Sequence, residues 1–166
     1  MSSHQVKRTS LVIGLIAAAM PFSSASNAQV SYTDWFGGGV LTSSTNCPTG
    51  SLDQHVNKVF TVRFLPAGVA TNGANSSLSI INQHYAQGYT RMGSFTSALQ
   101  TVTAQTIARF PGPSGYPVKV AFTKQTPATI DATTPMISLT IKVTGFTGFP
   151  SNQNCTAVIN ATVFRP

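Results

Sequence analysis

Apolar and polar residues alternate along much of the chain after residue 29. The clearest example is Met136–Thr144, in which Ile137, Leu139, Ile141 and Val143 alternate with serine, threonine and lysine. A period of two places every second side chain on the same face of an extended strand. The pattern therefore predicts a β-strand with one buried and one exposed face.

Three further segments carry the same alternation: 60–65, 118–123 and 155–164. In the last of them, Cys155 and Val163 fall on the predicted buried face. Weaker strands are predicted at four places: 30–36, 77–82, 85–92 and 101–110. The stretch 94–109 also fits helical spacing, but its many threonines favour a strand because branched side chains suit extended backbone.

Turn-forming residues separate these segments. Glycine, proline, asparagine and serine are concentrated at four predicted breaks: 37–39, 67–76, 110–117 and 145–154. Short strands at this spacing, with no strong helix, predict an all-β antiparallel β-sandwich. An immunoglobulin-like and a jelly-roll order both fit the pattern. No linker divides the chain, so 29–166 is predicted to form a single domain.

The first 28 residues follow a different pattern. Lys7 and Arg8 precede an apolar run at 11–20 that is too short to span a bilayer, and small residues follow as far as Ala28. This is the organisation of a secretory signal peptide at 1–28. It predicts export of the remaining chain to the periplasm, the cell surface or the medium, with no integral membrane segment in the mature protein.

Charged residues are scarce, at 8% of the chain. Once the predicted signal is removed, eight basic and three acidic residues remain, which leaves a net charge of +5. The basic residues are spread along the chain without the aromatic-interleaved cluster that nucleic-acid binding requires. No nucleic-acid partner is therefore expected.

The chain contains two cysteines, Cys47 and Cys155. In an exported protein, two cysteines are most simply explained by a disulfide, which here would join the start of the mature chain to its last strand. Two thiols and the separated histidines His55 and His84 do not make a recognisable ligand set for a metal. No metal and no cofactor are expected.

One local cluster has residue types that occur in hydrolases. Ser51, Asp53 and His55 would share a face of an extended strand, and an aspartate beside a histidine can orient an imidazole. However, no nucleophile-elbow glycines surround a serine, and aspartate and serine near a turn more often bind backbone groups. We expect no catalytic residues and no enzyme activity.

Aromatic residues give a better indication of function. The candidate ligand-binding aromatics are Trp35, Tyr85, Tyr89 and Tyr116. Rings exposed in the loops of a β-sandwich can form a platform for sugar rings, with asparagine and glutamine bonding to hydroxyls. The alternative is that these rings cover the ends of the sandwich.

The sequence therefore predicts an exported bacterial protein with a structural or surface-associated role. Self-association is one expected mechanism, because weakly charged strands leave few charges to block pairing between sheet edges. One alternative is a carbohydrate- or envelope-binding module, whose partner would be an envelope polysaccharide. A further alternative is a small outer-membrane β-barrel, because its strands also alternate between two faces.

Overall fold

The computed structural model describes residues 34–48, 56–69, 73–106, 115–146 and 154–166. All of them lie within one compact unit, Ser31–Pro166. They contain eight β-strands: β1 (Trp35–Thr45), β2 (Val59–Leu65), β3 (Asn75–Ile81), β4 (Ala86–Met92), β5 (Gln100–Thr106), β6 (Tyr116–Thr126), β7 (Met136–Thr144) and β8 (Thr156–Phe164). The signal peptide predicted at 1–28 lies outside the described residues.

The eight strands form a closed barrel. Each strand pairs antiparallel with the next one in the chain, and β1 also pairs with β8. The closing ladder extends from the pair Phe36–Phe164 to the pair Thr45–Thr156. The predicted β-sandwich is therefore wrong, whereas the all-β antiparallel class is confirmed. Both architectures require the same alternation along each strand, so the alternation does not determine whether the first and last strands meet.

The strands with the clearest alternation lie close to their predicted positions. Strand β7 covers Met136–Thr144, and strand β8 ends at Phe164 as predicted. The segment that also fitted helical spacing contains β5, Gln100–Thr106, so its threonines indicated the correct structure. Valine and threonine suit a pleated surface that is buried on one side only.

Two glycines of the predicted break at 37–39 instead fit β1 against its neighbours. A Cβ atom at Gly37 would collide with the backbone carbonyl oxygen of Thr162 in β8. A Cβ atom at Gly39 would lie 2.9 Å from Cγ2 of Ile159. The predicted break is wrong because these glycines permit close backbone approach inside a strand instead of forming a turn.

The interior of the barrel is filled by apolar side chains. Aliphatic residues from different strands, such as Leu41, Ile80 and Ile141, are fully buried. Two aromatic clusters lie at opposite ends of the barrel: Phe64 with Phe95 and Phe122, and Phe60 with Phe146 and Tyr85. An eight-stranded barrel is just narrow enough for side chains to fill in this way.

The outward-facing positions are mainly polar. On β7 and β8 the residues that alternate with the buried ones are Ser138, Thr140, Lys142, Thr144, Thr156, Val158, Asn160 and Thr162, with the apolar Met136 and Phe164 at one end of the two strands. Threonine and serine thus cover the surface where most soluble proteins have charged residues. The barrel is apolar inside and largely polar outside.

The predicted disulfide is confirmed. Cys47 and Cys155 are bonded, and their Cα atoms lie 4.3 Å apart. The bond lies just beyond the pair Thr45–Thr156, at the end of the barrel where β1 ends and β8 begins. Cys155 is fully buried, as its position in the alternation of the last strand predicted.

Candidate functional site

Trp35 is part of the barrel core. Its side chain is fully buried, and its indole Nε1 donates a hydrogen bond to the backbone oxygen of Thr134 at 2.9 Å. The guanidinium carbon of Arg165 lies 5.8 Å from the centre of the indole ring. These contacts anchor the start of β1 to the segment between β6 and β7. The ring is not available to a ligand on the outer surface.

Tyr89 and Tyr116 lie together on the inner wall of the barrel. Each is the cross-strand neighbour of Ala104, Tyr89 from β4 and Tyr116 from β6. The half-buried Tyr116 donates a hydrogen bond from its hydroxyl to Oε1 of Gln87 at 2.6 Å. Burial raises the pKa of Tyr116 to about 12, and the bond to Gln87 opposes that rise. Burial, followed by the proximity of Tyr116, raises the pKa of Tyr89 well above its usual value.

The hydroxyl of Tyr89 is fully buried and has no hydrogen-bond partner among the described residues. A buried polar group without a partner costs about 1–3 kcal/mol of desolvation. We therefore expect Tyr89→Phe to leave the free energy of unfolding unchanged or to raise it by about 1 kcal/mol. Urea denaturation of the two proteins measures this difference.

The matched control for Tyr89→Phe is Tyr116→Phe, which removes a hydroxyl that does have a partner in Gln87. Its expected effect is the opposite one, a loss of about 1 kcal/mol. If Tyr89→Phe instead destabilised the protein as much as the control, the Tyr89 hydroxyl would have a bonded partner in solution.

The fourth candidate, Tyr85, lies between β3 and β4 and is half-buried. Its ring centre is 5.6 Å from that of the buried Phe146, and the two rings meet edge to face. The structure thus brings Tyr89 and Tyr116 together, whereas Trp35 is on β1, which pairs with neither β4 nor β6. These four aromatic residues do not form one exposed platform.

The possible catalytic cluster Ser51, Asp53 and His55 lies outside the described residues. Among the residues that are described, no group of three His, Cys, Asp or Glu side chains is placed to hold a metal ion. In the same part of the chain, no helix is long and apolar enough to cross a membrane.

An open groove crosses the outer face of the barrel where β7, β8 and β1 lie side by side. Its volume is about 480 Å³. Its lining is mixed: hydrogen-bonding side chains come from Lys124, Ser138, Thr140, Asn160 and Thr162, and the other lining residues are Gly38, Gly39, Val40, Val59, Leu139 and Ala161. Because Gly38 has no side chain, the wall of the groove that β1 forms is shallow at this position. We call this surface the polar groove.

The polar side chains of the groove are held in register by the sheet. Asn160 lies opposite Thr140 in the β7–β8 ladder, and Thr162 lies opposite Ser138. The hydroxyl of Thr140 donates to Oδ1 of Asn160 at 2.9 Å. This bond fixes the Asn160 amide by its oxygen and leaves the amide nitrogen as a donor for a ligand.

Three exposed apolar side chains border the polar groove. Met136, Phe164 and Phe36 are cross-strand neighbours on β7, β8 and β1, and they are 46%, 53% and 42% exposed. Two residues further along the same strands, on the same face, are Ser138 and Thr162 of the polar groove. We call these three residues the apolar row. Adjacent strands lie about 4.8 Å apart, so the row forms one continuous strip.

One end of the apolar row is held by an ion pair. Arg63 is the β2 neighbour of Phe36, and its guanidinium carbon lies 5.4 Å from the centre of the Phe36 ring. Nε of Arg63 donates to Oδ2 of Asp34 at 2.9 Å, and Nη2 of Arg63 bonds to the same oxygen. The guanidinium is thereby positioned over the ring, and Phe36 is oriented between Arg63 and Phe164.

The aromatic candidates selected from the sequence did not include the exposed rings, although part of the signal was present. In β8 the alternation places Cys155 to Val163 inward, so the next residue, Phe164, must point outward. Met136 must point outward for the same reason, because Ile137 is buried. Phe36 has no comparable signal, because the glycines that follow it predict a break.

Comparisons with protein-family models, with curated proteins and with solved structures find no match to this chain. The polar groove and the apolar row are therefore the features of this chain that indicate a function.

Proposed function

We propose that this chain is an exported binding module that holds an extended polysaccharide of the cell envelope against its outer face. The observation that carries the proposal is the open polar groove bordered by the exposed rings of Phe36 and Phe164. Export is supported by the signal-peptide pattern at 1–28 and by the Cys47–Cys155 disulfide, since disulfides persist mainly in oxidising compartments.

The groove combines the two kinds of contact that sugars require. The C–H faces of a pyranose ring pack on aromatic rings, and Phe164 and Phe36 offer such rings side by side. Sugar hydroxyls need hydrogen-bond partners, and the groove supplies them at successive steps along the strands: Ser138 about 7 Å from the row, and Thr140 and Asn160 about 14 Å from it. The groove is an open channel on a sheet, so a polymer can lie along it without a free chain end.

Self-association through strand edges does not fit a closed barrel. Each of the eight described strands has a hydrogen-bonded neighbour on both sides over part of its length, so none presents a whole unpaired edge to a second copy. The exposed apolar side chains described on this face are those of the apolar row and Val59. The apolar row contains only three exposed side chains and lies beside a polar groove, which favours a polar ligand over a second copy.

The order and number of the strands are compatible with the outer-membrane barrel alternative. Such barrels expose a continuous apolar band to lipid and have a polar interior. Here the side chains of β7 and β8 have the reverse distribution, with Ile141 and Ile159 inside and Lys142 and Asn160 outside. This polarity supports a barrel that works in water.

The test is retention of the oxidised protein on a panel of immobilised envelope polysaccharides, without detergent. We expect Phe164→Ala and Asn160→Ala each to weaken binding about tenfold, which corresponds to about 1.4 kcal/mol. Both side chains lie outside the core, so the thermal unfolding temperature should change little. Isothermal titration with soluble fragments of the retained polysaccharide gives the affinities.

Met92→Ala is the matched control. Met92 is 76% exposed and lies at the end of β4, away from the β7–β8–β1 face. Its replacement removes a similar apolar area and should leave binding unchanged. The proposal fails if no polysaccharide is retained, or if Phe164→Ala and Met92→Ala bind as the unaltered protein does.

A further inference from the structure

We propose that the polysaccharide bound at the polar groove is acidic, with carboxylate or phosphate groups repeated along the chain. This inference rests on the proposed function and specifies its ligand. It derives from the placement of three lysines, Lys119, Lys124 and Lys142, which the barrel brings together beside the groove.

The three lysines follow one another along the outer face of β6 and β7. Lys124 lies opposite Thr140 and lines the groove itself. Lys142 is two residues further along β7 from Thr140 on the same face, and Lys119 lies opposite Thr144, two residues further again. Two residues of antiparallel strand advance about 6.8 Å, so the three lysines stand at successive steps of about that length along the strand direction. We call them the lysine ladder.

No carboxylate in the described part of the chain neutralises the lysine ladder. The acidic residues described are Asp34 and Asp131. Asp34 pairs with Arg63 at the far side of the groove. Asp131 accepts hydrogen bonds from the backbone and hydroxyl of Thr133 in its own turn, and these bonds lower its pKa.

The position of the ladder determines which ligands benefit from it. A polymer that follows the direction of β7 through the groove passes Lys124 at Thr140 and then reaches Lys142 and Lys119 at the next two steps along the strand. Regularly repeated negative charges on the polymer can therefore approach several ammonium groups at once. A neutral polymer of the same sugars would use only the rings and hydroxyls of the groove.

The surface favours a sugar polymer over other polyanions. Beside the ladder lie hydroxyls and one amide, from Ser138, Thr140, Thr162 and Asn160, and these match sugar hydroxyls. The two rings of the apolar row belong to Phe36 and Phe164, which are cross-strand neighbours on β1 and β8. Duplex DNA and anionic vesicles nevertheless share the charge, and they serve as competing ligands in the test.

The experiment compares polygalacturonate with its fully methyl-esterified form, which has the same sugars without the charge. A phosphodiester-linked glycan forms a second acidic arm and identifies which acidic group is preferred. Binding is measured by titration from 50 mM to 500 mM salt. We expect an acidic polymer to bind at least tenfold more tightly than the neutral ester at low salt, with the difference lost at high salt because exposed charges are screened.

Two variants of the ladder complete the test. The triple variant K119Q/K124Q/K142Q should bind acidic and neutral polymers equally, whereas K119R/K124R/K142R should keep the preference. Equal binding of both polymers by the unaltered protein, without salt dependence, would overturn the acidic ligand and leave the proposed function standing. Absence of binding to any polysaccharide would overturn both. Tighter binding to duplex DNA or to anionic vesicles, with the same dependence on the lysines, would also overturn the inference.

Discussion

Removal of the disulfide by replacing both Cys47 and Cys155 with alanine is expected to lower the free energy of unfolding by about 4–5 kcal/mol. The bond joins residues 108 positions apart, so it removes much of the conformational freedom of the unfolded chain. Domains of this size are stable by about 5–15 kcal/mol, and the loss is therefore a large fraction of the total. Guanidinium denaturation of the oxidised protein and of the double variant measures the difference.

Chemical reduction of the unaltered protein distinguishes two contributions to the free energy of unfolding, that of the crosslink and that of the packed sulfur atoms. Cys155 is fully buried, so alanine at this position also removes packed volume. The reduced protein keeps that volume and loses only the bond. We expect it to lose most of the 4–5 kcal/mol, and a loss below about 1 kcal/mol would mean that the reduced, unfolded chain already keeps its two ends together.

The disulfide was also the strongest long-range information in the sequence. It predicted that the start of the mature chain lies beside the last strand, and in the barrel Cys47 follows β1 directly while Cys155 precedes β8. The individual strands could be predicted because a half-buried strand imposes a period of two on its own residues. The closure of the sheet could not, because pairing of β1 with β8 depends on residues that are more than a hundred positions apart.

The three consecutive glycines show a second limit of local patterns. Glycine favours turns in general, and three in a row indicate a break. At Gly37 and Gly39 the barrel instead requires residues without a Cβ, because the Thr162 backbone and the Ile159 side chain of β8 lie too close. Whether a glycine serves a turn or a close contact depends on its tertiary neighbours, which a single sequence does not contain.

The residues of the proposed site differ from the candidates that the sequence indicates. Aromatic rings beside polar side chains were expected, and the outer face has them, but the rings are those of Phe36 and Phe164. Trp35 and Tyr89 are candidates by residue type. Whether a ring can contact a ligand on the outer face depends instead on the direction in which its side chain points. Lys119, Lys124 and Lys142 appeared scattered along the chain because the sheet pairing that aligns them is not local.

Trp35 and Phe36 are neighbours in the chain, but Trp35 belongs to the core and Phe36 to the proposed site. Substitutions at the two positions therefore test the core and the site separately. We expect Trp35→Ala to lower the free energy of unfolding by about 3–5 kcal/mol, because it leaves a large cavity in the barrel and removes the indole bond to Thr134. Phe36→Ala should lower it by less, since its side chain is 42% exposed, and should weaken polysaccharide binding instead. Chemical denaturation and titration of each variant give the two quantities.

The comparison is informative because the two aromatic residues are adjacent in β1 and lie on opposite faces of the strand. If Trp35 served the ligand directly, its removal would abolish binding by a protein of unchanged stability. In the barrel described here, the Trp35→Ala variant should bind normally under conditions in which it is still folded, since the polar groove lies on the opposite surface of the strand. Loss of binding by folded Trp35→Ala, with binding kept by Phe36→Ala, would place the ligand inside the barrel and overturn the outer-face site.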